Sequence, residues 1–141
     1  MTRLVICFDA ALQALSAVSH ARKSEDVGKG AAAFLTWLTD EAALQLAMLA
    51  DASDQVMLLV RSNDVEVPDP ANMAAFVSTF LLEGARLWLE GHCWTFGCTA
   101  KMLSLLKHPR TYLIAGGQKG ICKIGGGVDD ACRRRCLDRM V

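Results

Sequence analysis

Between Leu89 and Thr99 the chain gathers Glu90, His92, Cys93 and Cys98, interleaved with Trp94 and Phe96. Cysteine reacts as its thiolate, and a helix N-terminus or a nearby cation lowers the thiol pKa. Both cysteines fall in a turn expected to lead into a helix capped by Thr99. Cys93 is therefore the candidate nucleophile and Cys98 a second or resolving thiol. His92 and the helix start are the groups that would stabilise the anion. Glu90 stands at the end of the preceding element. A carboxylate there can act as a general base, wall an anion site or face solvent as an ordinary surface group, and the last is the favoured reading. The segment also has a packing reading, in which Cys93, Trp94 and Phe96 fill the edge of the core. His92 and Cys93 are adjacent in sequence, and neighbours on an extended chain point apart.

The remaining cysteines raise the question of a metal. A zinc site needs four Cys, His or carboxylate ligands, often in close-spaced pairs. The available pairs are Cys93/Cys98 and Cys132/Cys136, with His92 and Cys122 near them in sequence. Neither pair has the two-residue spacing of a zinc knuckle. Cys132 and Cys136 share a helix face with Met140, which reads as a buried stripe. Arg133-Arg134-Arg135 beside Asp129, Asp130 and Asp138 reads as a solvated helix face. Gly116-Gly117 and Gly125-Gly126-Gly127 lack the spacing of phosphate-binding loops and read as turns. No serine sits in a G-x-S-x-G elbow. No cofactor is implied.

The 141 residues carry no net charge, with 52% hydrophobic and 21% charged residues. That fits one globular domain, 1–141. It argues against nucleic acid as the main partner, since phosphate binding needs a basic excess. It argues equally against an anionic membrane surface. No continuous apolar run approaches a bilayer span, and MTRLVICFDAA does not read as an export signal. The expected location is cytoplasmic, where six cysteines stay as thiols. A mean hydropathy of +0.27 points to apolar surface paired with another subunit.

The elements expected to position these residues alternate. Leu4–Phe8, Gln55–Arg61, Ala85–Leu89, Tyr112–Ala115 and Ile121–Ile124 read as short buried strands. Helices are expected over 10–22, over 31–52 with a break at Thr39, from Pro70 to a stop at Gly84, from Thr99 to Lys107, and from Asp129 or Asp130 onward. Lys23–Gly30 reads as a loop. The expected fold is therefore α/β: a single-domain three-layer sandwich of about five mostly parallel strands. Residues 10–41 add an extra N-terminal helical element. Trp37, Phe76, Phe80 and Trp88 are expected in the core or in a subunit interface. Ligands of such sheets bind beyond the carboxyl ends of the strands. That placement singles out Asn63-Asp64-Val65, Glu90–Cys98 and Gly116-Gly117.

Three segments together resemble the DsrE/DsrF-like sulfur-relay family. They are Leu82-Glu83-Gly84-Ala85-Arg86-Leu87-Trp88-Leu89-Glu90-Gly91-His92-Cys93-Trp94-Thr95-Phe96-Gly97-Cys98, Val56–Val65 and Gly120–Ala131. The resemblance covers about residues 42–141. It implies a five-stranded α/β fold, homotrimers or homohexamers, and persulfide sulfur carried on a loop cysteine. The chain departs from the family in two places. Glu90 stands where active members carry the sulfur-bearing cysteine, and Phe96-Gly97 replaces an arginine-glycine turn. The expected function is that of a small cytoplasmic sulfur-relay or thiol-handling protein. Cys93 would take sulfur from a donor protein and pass it to an acceptor. The alternative, favoured by Glu90, is a non-catalytic oligomeric binding or structural subunit. A structural zinc protein comes third.

Overall fold

A computed structural model describes residues 2–64, 69–115 and 120–140. Helix α1 (Thr2–Ile6) is followed by α2 (Phe8–Ala21), α3 (Asp26–Trp37), α4 (Asp40–Asn63) and α5 (Pro70–Trp88). A 3₁₀ turn (His92–Trp94) leads to α6 (Gly97–Leu105). Strands β1 (Arg110–Leu113) and β2 (Ile121–Ile124) and helix α7 (Asp130–Asp138) complete the order. Among the described residues the fold is predominantly helical with one two-stranded antiparallel sheet, so the α/β sandwich of parallel strands is incorrect.

Three expected strands are helical, for identifiable reasons. Gln55–Arg61 lies inside the 24-residue α4. Its apolar run resembles a sheet interior, but no glycine or proline interrupts 40–63, and Met and Leu are strong helix formers. Ala85–Leu89 continues α5 through Gly84 instead of starting anew. A lone mid-helix glycine costs only about 1 kcal/mol relative to alanine, and its neighbours Ala85, Arg86 and Leu87 favour helix. Leu4–Phe8 belongs to α1 and the start of α2. A short apolar run does not separate strand from buried helix. The expected loop at Lys23–Gly30 is shorter, because α3 begins at Asp26. The two glycine-flanked strands do form. They pair antiparallel, Tyr112 opposite Cys122, since so short a connection cannot make a parallel crossover. The Gly116-Gly117 turn between them, and Val65, lie outside the described residues.

Start signals read from the sequence recur as geometry. The Thr39 hydroxyl accepts the Ala42 N–H at 3.1 Å, which breaks 31–52 into two helices. Asp69 caps α5 ahead of Pro70 by accepting the Ala71 N–H at 3.0 Å. Asp129 opens α7 by accepting the Cys132 N–H at 2.7 Å.

The first half of α4 is the centre of the core. Ala43, Leu44, Ala47, Met48 and Ala50 are fully buried there. Around them pack Phe8 and Leu12 of α2, Leu35 of α3, Met102 of α6, Tyr112 and Cys122 of the hairpin, and Cys136 of α7. The alanines let neighbouring backbones approach closely, and the larger side chains fill the remaining space. Polar contacts fix the periphery. The Tyr112 hydroxyl donates to Asp9 of α2, and Arg110 pairs with the same carboxylate at 3.0 Å. Asp40 accepts the Gly125 and Gly127 N–H groups at 2.6 and 2.8 Å, tying the end of β2 to the start of α4.

The second half of α4 and most of α5 lie outside this core, which α5 meets only at its end, through Leu87 and Trp88. Helix α5 has no buried residue. Trp37 and Phe76, expected in a core or interface, are 55% and 43% exposed in the single chain, while Phe80 and Trp88 are half-buried. Among the described residues α4 is long and apolar enough to cross a membrane by length and composition. Its first half packs in the core and carries the buried carboxylate of Asp51, an arrangement compatible with a soluble protein, while its second half is largely exposed.

Candidate functional site

The four residues singled out for thiol chemistry separate into two environments. After α5, Gly91 adopts φ +76°, a left-handed conformation that suits glycine, and the chain enters the 3₁₀ turn. Glu90 and His92 remain at the surface, with Glu90 Oε2 and His92 Nε2 3.7 Å apart. Cys93 turns the other way and is completely buried. Burial, and secondarily the negative charge of Asp51, push its thiol pKa up to about 11. Cys98 is also buried. His92 is the nearest basic side chain in sequence, but its ring is on the solvent side.

The helix start that would have stabilised a thiolate is already occupied. Helix α6 begins at Gly97, two residues before Thr99. Its cap comes from α4: Asp51 accepts the Cys98 N–H at 2.7 Å, the Thr99 N–H at 2.9 Å and the Thr99 hydroxyl at 2.6 Å. A carboxylate at a helix N-terminus is favoured by the exposed amides and by the helix dipole. The same carboxylate places negative charge beside Cys93, which disfavours a second anion. Gly97 makes this approach possible. It has φ +80°, and a Cβ there would lie 2.5 Å from Asp51 Oδ1. Asp51 is the residue that sequence reasoning missed. A helical Asp reads as a surface group, and its partners lie 47 and 48 positions away.

The other cysteines follow the packing reading. Cys132 and Cys136 form a buried stripe on α7, and Cys136 Sγ donates to the Glu41 carbonyl at 3.8 Å. Burial leads the causes that raise the Cys136 thiol to about 12. Cys122 is buried in the hairpin, and its thiol is also raised by burial. Among the described residues no group of three or more His, Cys, Asp or Glu side chains is placed to hold a metal. The basic run on α7 is engaged locally. Arg133 lies over the Trp94 ring at 5.9 Å, and Arg135 and its neighbour Arg139 pair with Glu41 at 3.1 and 2.9 Å.

Among the described residues, a cleft of about 630 Å³ lies between the second half of α4, α5 and the start of α6. Leu58, Leu59, Phe76, Phe80, Leu87 and Phe96 supply its walls. Asp54, Gln55, Ser62, Thr79, Glu83 and Lys101 bring polar groups to it, and Asp51 and Cys98 close it beside α6. The size is that of a pocket for a small organic molecule, which typically spans about 300–1,000 Å³ with mostly apolar walls. Its sequence signal was present as Leu58, Leu59, Phe76 and Phe80, but with 55–61 read as a strand those residues had no common wall to line.

Comparison of the chain with protein-family models, with curated proteins and with solved structures finds no match. The DsrE/DsrF resemblance therefore rests on the three sequence segments alone, and the five-stranded sheet it implied is not the fold of this chain.

Proposed function

We propose that the chain is a non-catalytic binding protein that holds a small apolar organic molecule in the α4–α5 cleft. What supports the reading is the cleft itself: about 630 Å³, walled by leucine and phenylalanine, and built on helices rather than loops. The polar groups at its edge carry both signs of charge, Asp54 and Glu83 against Lys101, and Glu83 is engaged by Arg86 at 2.9 Å. Such a rim suits a neutral or weakly polar ligand more than a dense anion. The sulfur-relay reading would require Cys93 to leave the core and ionise beside Asp51, against both burial and charge. Glu90, where the resembled family's active members carry a cysteine, fits a chain without that chemistry.

The test is a fluorescence titration with N-phenyl-1-naphthylamine, a neutral apolar dye. Saturable binding at one dye per chain is expected. Thr79→Trp places a large ring in the cleft and should abolish it. Absence of saturable binding, or binding untouched by Thr79→Trp in a folded variant, overturns the reading.

A further inference from the structure

The hairpin of α4 and α5 carries a second apolar surface that the cleft does not use. Val56 and Val60 on α4, and Met73, Val77 and Leu81 on α5, are 40–64% exposed, and none lines the cleft. Two features set this surface apart from scattered surface hydrophobics. First, residues 56–60 are five consecutive apolar residues on one helix, so they point to every side of it. A helix segment that is apolar all round is stable only when covered all round. Helix α5 and the start of α6 cover one side and leave the other bare. Second, the stretch 70–82 of α5 contains no charged residue, and the helix has no buried one.

We infer that a second copy of this chain covers this face, so that the α4–α5 hairpin is the subunit interface. Area is the first support. Among the described residues between Val56 and Leu89, eight large apolar residues that do not line the cleft are 40–70% exposed. If each offers about 150–200 Å² when fully exposed, together they present on the order of 700 Å². A standard interface takes about 800 Å² from each partner. Composition is the second. Partners that come and go keep charges on the surface they expose between encounters, whereas permanent homodimer interfaces are apolar and charge-depleted. A charge-free face therefore selects a permanent partner, and closed association of identical chains is the commonest way to provide one. Because Val77 and Leu81 stand outside the cleft, this inference does not depend on the ligand reading above.

Sedimentation velocity on the full chain at micromolar concentration tests it. The wild type is expected at twice 15.3 kDa or a closed multiple of it. The double variant Val77→Glu with Leu81→Glu should sediment as a monomer with unchanged helix content by circular dichroism. Its dissociation constant should rise at least about 100-fold, because the carboxylates would be buried in the interface without partners. Thr79→Trp, in the cleft, should leave the assembly intact. Val77→Lys with Leu81→Lys repeats the test should the glutamates unfold the chain. A monomeric wild type, or an assembly that survives a folded double variant, overturns the inference.

Discussion

Replacing Asp51 with alanine should destabilise the fold by about 3 kcal/mol. The carboxylate is almost wholly buried and accepts three hydrogen bonds from the first turn of α6. Truncation leaves two backbone donors and the Thr99 hydroxyl without their acceptor. A buried donor stripped of its partner costs about 1–3 kcal/mol, and loss of a helix cap typically costs about 1 kcal/mol. Asp51 borders the cleft, so water can reach part of the gap and hold each cost near its lower limit. The hydroxyl can also rotate toward another acceptor. The sum is then about 3 kcal/mol, equivalent to roughly 10 °C in Tm for a chain of this length. Asp51→Asn keeps one acceptor oxygen and should lose about half as much. Urea denaturation followed by far-ultraviolet circular dichroism measures both. An Asp51→Ala variant within 0.5 kcal/mol of wild type would refute the reasoning, because the cap would then not be what joins α4 to α6.

Three further outcomes follow from the buried thiols and the surface carboxylate of Asp9. Ellman titration of the native protein at pH 8 should find one fast thiol, Cys7, with the five buried cysteines reacting only in denaturant; fast labelling of Cys93 under native conditions would contradict its placement. Stability should fall as the pH is raised above about 9, because Cys93 and Cys136 titrate near 11 and 12 in the folded chain but near 8.5 when unfolded. A raised acid pKa leaves the folded state fully favoured below the unfolded value and costs stability above it, so urea midpoints that stay flat from pH 8 to 10.5 would oppose this. At the acid end, the Tyr112 hydroxyl and then Arg110 hold the Asp9 carboxyl below its ordinary range. That contribution is present above about pH 4 and is lost as the pH falls through the folded value. Asp9→Asn should flatten the acid limb slightly, since the group is well exposed and screened.

The legible parts of the fold were those specified by local chemistry. Thr39, Asp69 and Asp129 each cap a helix through an amide two or three residues away, and such signals survive without tertiary knowledge. The apolar stripe after Pro70 and the short Ile121–Ile124 strand were legible for the same reason. An apolar run such as Val56–Val60 looks the same in a sheet interior and in a helix that needs cover on every side. With that segment and Ala85–Leu89 as strands, an alternating α/β order follows, in which α4 and α5 do not exist as neighbouring helices. At the site, the sequence marked the Glu90–Cys98 segment and posed both thiol chemistry and packing. Which face Cys93 turns inward depends on the 3₁₀ turn and on Asp51, neither of which leaves a local signal. The cleft needs the second half of α4 and the helix α5 to pack as neighbours, a tertiary fact.

The binding reading is tested most directly by methyl-region nuclear magnetic resonance of the full chain titrated with N-phenyl-1-naphthylamine. Shifts concentrated on the Leu58, Leu59 and Leu87 methyls, with Val77 and Leu81 unmoved, are the expected result. Shifts spread over the outer face, or none at the cleft under saturating dye, would contradict the assignment of the α4–α5 cleft as the binding site.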